Sequence, residues 1–133
     1  MAVDLLEPNG NEPMAVSYAK INQLIISPSI DNGTKTATAT AGAATLNKNA
    51  GVVTSEALVT AAGATYTLTI ANSAVTAADQ VMASVAYGTS TTGSPAIMRV
   101  TPAAGSLVIV VQNIHASAAL NGTIKIAFVS FDN

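Results

Sequence analysis

The chain has 133 residues, half of them hydrophobic, with five basic and seven acidic side chains and a net charge of −2. It contains no Cys, no Trp and a single His, which removes disulfides, thiolate metal sites and most catalytic dyads from consideration. An ordinary soluble domain is roughly 25% charged, so the 9% found here points to an exterior dressed in Thr, Ser, Asn and Ala, to one largely covered by neighbouring molecules, or to both.

Residues 1–17 hold Asp4, Glu7 and Glu12, two prolines (Pro8 and Pro13) and an Asn9-Gly10 turn signal, without periodicity. They read as a disordered terminus or as an extended arm that orders on a partner. Beyond Ser17 the texture changes, and residues 18–133 read as one β-domain. The run AKINQLIIS (19–27) reads as a strand closed by Pro28, and Asp31-Asn32-Gly33 as a tight turn. The run TKTATAT (34–40) alternates over a thin, alanine-packed face and is expected near a sheet edge.

A short bend is expected over 41–44, and one or two strands over 45–46 and 51–58. In TYTLTI (65–70), Tyr66, Leu68 and Ile70 alternate with threonines, the period of a half-buried antiparallel strand. The run SAVTAAD (73–79) is the one place where a helical turn is expected. Over 80–87, Val81, Ala83, Val85 and Tyr87 share an inward face, and GTSTTGSP (88–95) is a polar loop. A short strand over 96–100 is expected to end at Thr101-Pro102.

Five apolar residues in SLVIVVQ (106–112) read as a central strand buried on both faces, with Val110 in the core. Val110→Asp is therefore expected to bury an unpaired charge. Residues 113–121 form a loop, and 123–131 alternates Ile124, Ile126 and Phe128 against Lys125, Ala127 and Val129. The repeated Ala-Ala-Gly at 61–63 and 103–105 reads as a pair of turns. Seven or eight short strands punctuated by Gly, Pro and Asn predict an all-β fold, an antiparallel β-sandwich with a jelly-roll-like closure.

The inventory of reactive groups is thin. His115 has no nucleophile elbow and no near acid in sequence, so it reads as a loop histidine or an interface contact. Outside the arm the carboxylates are Asp31, Glu56, Asp79 and Asp132, at turns or the chain end, with neither glycosidase pairing nor calcium-loop spacing. Asn32-Gly33-Thr34 and Asn121-Gly122-Thr123 match glycosylation sequons but read as turns. Lys20, Lys35, Lys48, Arg99 and Lys125 are scattered singly, so nucleic acid is not an expected partner. No apolar run reaches the ~18 residues of a membrane helix, and MAVDLLEPNGNEP has no signal-peptide pattern. No enzymatic activity, cofactor or metal is expected.

What the composition favours is association. Edges are normally blunted by charge and proline, whereas TKTATAT offers only threonine, alanine and one lysine. Thr36, Thr38 and Thr40, together with His115, are the expected contacts between copies.

The stretch GAATLNKNAGVVTSEALVTAAGATYTLTIANS, followed by GSLVIVVQNIHASAALNGTIKIAFVSF, resembles small β-sandwich capsid cement or decoration proteins of tailed bacteriophages. The resemblance implies a non-enzymatic virion structural protein, made in the host cytoplasm and bound to the outer capsid as a dimer or trimer. The major capsid protein would be its partner. It further implies that the arm lies across capsid subunits, with Asp4, Leu5, Leu6, Glu7, Glu12 and Met14 as contacts. The competing expectation is a tail-fibre or adhesin-type module that binds a host surface glycan.

Overall fold

The computed structural model describes residues 35–133. The arm over 1–17, the strand over 19–27 and the turn at 31–33 lie outside the described residues. The described part contains no helix and eight strands. These are β1 (Thr36–Thr38), β2 (Ala43–Thr45), β3 (Ala50–Thr54), β4 (Thr65–Ala71), β5 (Gln80–Tyr87), β6 (Pro95–Ala103), β7 (Ser106–Asn113) and β8 (Ile124–Phe131). Sheet I has the order β1-β3-β8-β5 and sheet II the order β2-β4-β7-β6.

Period-2 alternation builds one core between the sheets. Sheet I contributes Val53, Val81, Ile124, Ile126 and Phe128, while sheet II contributes Leu68, Ile70, Leu107, Ile109 and Val111. Along β4 every apolar residue from Tyr66 to Ile70 is buried and every threonine exposed. Each buried aliphatic side chain contributes about 1.5–3 kcal/mol against the entropy of ordering the chain.

The central pairs are antiparallel: β3 and β5 both flank β8, and β4 and β6 both flank β7. The sheets are nevertheless mixed, which corrects the wholly antiparallel expectation. At one edge of each sheet, β1 pairs parallel to β3 and β2 parallel to β4. The cause is the short segment 36–45, which touches one sheet and then the other and so meets each neighbour in the same direction.

Other corrections are local. Val110 is buried but faces outward, between Thr67 and Arg99 on the flanking strands, while Leu107, Ile109 and Val111 face the core. Strand β6 runs on through Pro102 to Ala103, because an edge strand tolerates a missing N–H. No helical turn forms over 73–79. The Asn72 side chain accepts from the Ala74 N–H and the Asp79 carboxylate from the Thr76 N–H, which holds two successive turns. Tyr87, expected inward, is 48% exposed. It ends β5, the edge strand of sheet I, and its hydroxyl donates to the Gly93 carbonyl. The Ala-Ala-Gly segments are turns, with Gly63 and Gly105 at positive φ.

The expected bend over 41–44 is a two-residue hairpin turn leading into β2. Thr40 and Ala43 exchange both backbone hydrogen bonds, and Ala41 and Gly42 have φ of 51° and 76°. Successive positive φ values suit Asn-Gly, and alanine there is strained by roughly 1–2 kcal/mol. Ala41 is solvent-exposed, so Ala41→Asn loses no packing. The variant is expected to gain about 0.5–1 kcal/mol in urea unfolding; an unchanged or lowered midpoint contradicts this turn geometry.

Candidate functional site

The topology brings three loops to one end of the molecule: 55–64 after β3, 88–94 after β5 and 114–123 after β7. Side-chain amides and hydroxyls cross-link them. The Asn121 carbonyl oxygen accepts from the Thr91 N–H at 2.7 Å, the Thr92 N–H at 3.2 Å and the Ser90 hydroxyl at 3.1 Å. Its Nδ2 donates to the Thr91 hydroxyl at 2.9 Å. The amide that a sequon would offer for glycosylation is thus already engaged, in keeping with a structural role. Thr92 donates to the Ala119 carbonyl, and the Thr123 N–H to the Thr89 hydroxyl.

Asn113 anchors the same end from inside. Its side chain is fully buried, donates to the Thr60 and Ala118 carbonyls at 3.0 and 2.8 Å, and accepts from the Ser94 and His115 N–H groups. All three loops are held by this one amide. The result is a rigid tip that exposes Val59, Ile114 and Tyr87 among hydroxyls. Glu56 is the one charged side chain in these loops and it is half-buried.

A second surface is the outer face of sheet I. Met82 is 64% exposed, Phe131 50% and Val129 40%. The register sets Met82 opposite Val129 and Ser84 opposite Ala127, so a ridge of large side chains lies beside a row of small ones. A groove of 240 Å³ runs there, lined by Met82, Ser84, Ala127, Val129 and Phe131. Small-molecule sites usually take about 300–1,000 Å³, so this hollow suits a side chain better than a cofactor. Among the described residues, Lys125 is the only charge the strands place on this face. The outer face of sheet II differs, showing Thr65, Thr67 and Thr69 with Arg99.

Asp4, Leu5, Leu6, Glu7, Glu12 and Met14 lie outside the described residues. Thr36, Thr38 and Thr40 are exposed, the first two on edge strand β1. His115 sits half-buried in the 114–123 loop, where its Nδ1 accepts from the Ser117 and Ala118 N–H groups at 3.1 and 2.8 Å. This acceptor role places the ring proton on Nε2. Met82, Phe131, Val59 and Ile114 are surface residues that the sequence reading does not single out. The available signal is parity, since Val129 and Phe131 fall on the outward positions of β8.

The carboxylates have separate structural partners. Glu56 accepts from the Tyr66 hydroxyl and the Gly42 N–H, both at 3.0 Å, tying the hairpin turn to β4. Burial, then the hydrogen bond to Glu56 and its negative charge, hold the Tyr66 phenol above its ordinary pKa, so it stays a neutral donor. Asp79 is held below the usual carboxylate range chiefly by the Thr76 N–H and hydroxyl; burial opposes them, and the Ser130 hydroxyl and the Asn133 backbone add smaller lowering effects. Among the described residues no three His, Asp or Glu side chains come together as a metal site.

No protein-family model, curated protein or solved structure matches this chain.

Proposed function

We propose that this chain is a non-enzymatic virion structural protein, a capsid cement protein that binds the outer capsid surface and bridges major capsid subunits. The observation that carries the reading is exposed apolar surface with almost no charge. Met82, Val129 and Phe131 lie on one face and Val59 and Ile114 at the loop tip. Among the described residues the charged side chains are only Lys35, Lys48, Glu56, Asp79, Arg99, Lys125 and Asp132. Large apolar side chains left in water favour a protein partner, and many weakly held copies on a lattice sum to tight attachment. The jelly-roll-like closure belongs to the same reading. It is supported by the way the β5–β8 pair of one sheet brackets the β6–β7 hairpin of the other.

The test is co-sedimentation with empty capsid shells of the virus that encodes the chain. The full chain is expected to pellet with shells. A variant lacking residues 1–17 is expected to keep its thermal unfolding and lose attachment. Failure of the full chain to bind shells removes the proposal, and full attachment of the truncated chain removes the role of the arm.

A second reading has one observation in its favour. The half-exposed Tyr87 ring is tethered through its hydroxyl beside the 88–94 loop, as a sugar-stacking platform requires. Binding to host envelopes that soluble glycans compete away, and that Tyr87→Ala abolishes, would favour a glycan-binding module instead.

A further inference from the structure

We propose that the outer face of sheet I is self-complementary and pairs two copies of this chain about a two-fold axis. The inference rests on the reading of the protein as one that works in copies, and it names the surface and the symmetry. The axis lies in the plane between the facing sheets and runs across the strands, between the Ser84–Ala127 row and the Met82–Val129 row. Rotation about it sets the ridge of each copy over the hollow of the other: Met82 over Ser84, and Val129 over Ala127. Residue i meeting j while j meets i is what a closed two-fold contact requires.

Charge fits the same operation. Lys125 and Phe131 are outward positions near opposite ends of strand β8, about 20 Å apart at ~3.3 Å per residue. Lys125 has no ionic partner among the described residues. The axis reverses the strand direction, so each copy's Lys125 comes over Phe131 of the other. There the ammonium meets the face of an exposed aromatic ring. A parallel stacking would place lysine over lysine. The face spans about 26 Å by 19 Å, small for a specific interface, so a dissociation constant on the order of micromolar is expected. Crowding of copies on a common support would fill it.

Sedimentation equilibrium of the full chain is expected to show a reversible monomer–dimer system. Val129→Glu is expected to leave monomer with an unchanged thermal unfolding midpoint, because Val129 is exposed. Lys125→Ala and Phe131→Ala should each weaken the dimer by about fivefold, and the double variant by little more than either alone. A protein that stays monomeric, a dimer indifferent to Val129→Glu, or additive losses at Lys125 and Phe131 overturns the inference. Shell binding measured on the same samples separates the two claims: a monomer that binds shells removes the dimer alone, and a dimer that ignores shells removes the proposed function alone.

Discussion

Ile109→Asp is expected to remove a large share of the chain's stability and to be the most damaging single change. Ile109 is fully buried at the middle of β7, opposite Leu68 on one side and Val100 on the other, in a core that has no cation to meet a carboxylate. An ionised group there must be neutralised or hydrated at the cost of local unfolding, a loss of roughly 4–5 kcal/mol or more. A domain of this size has a total stability of about 5–15 kcal/mol. Val110→Asp, one residue on, is expected to cost only about 1–2 kcal/mol, because its carboxylate emerges on the outer face beside Arg99. Urea unfolding of the two variants checks the pair; equal losses would contradict the register of β7.

Asn113→Asp is expected to be the second most damaging change, although it alters a single atom. The new carboxylate keeps the acceptor that serves the Ser94 and His115 N–H groups but loses both donors. The Thr60 and Ala118 carbonyls then face a negative oxygen, at about 1–3 kcal/mol for each buried acceptor left unpaired. A loss of about 3 kcal/mol is expected at neutral pH, with partial recovery on acidification as a protonated carboxyl regains one donor. Hydrogen exchange should rise first in 58–62 and 114–120, the segments this amide ties together. Stability within about 0.5 kcal/mol of the parent would mean the tip is held otherwise.

Both changes bear on function through rigidity. The tip and the sheet I face present apolar side chains on frameworks that do not need to order on binding, which lowers the entropic cost of docking. The loops achieve this with neutral amides and hydroxyls. A molecule poor in charge can thus keep a defined polar end without ion pairs, consistent with a protein whose exterior meets other protein.

Several elements are legible in the amino-acid sequence alone. The alternations in 65–71, 80–87 and 124–131 mark their strands because period 2 with one buried face admits little else. The TKTATAT edge strand is legible for its small, uncommitted side chains. Val110 is not: a run of five apolar residues hides its own parity, and only pairing with Thr67 and Arg99 shows which face each residue takes. Tyr87 sits on the inward parity and is still half exposed, because parity says nothing about which strand ends up at the edge of a sheet.

Local sequence suffices for the all-β class, the inward residues of the alternating strands, the turns at Ala-Ala-Gly and the scarcity of charge, since these depend on composition or on neighbours two or three positions apart. Three features arise only from long-range folding: the parallel pairing of β1 and β2, the gathering of three loops around Asn113 and Asn121, and the ridge of Met82, Val129 and Phe131 beside its hollow. They join residues tens of positions apart, and no local period encodes which strand a given strand will lie against.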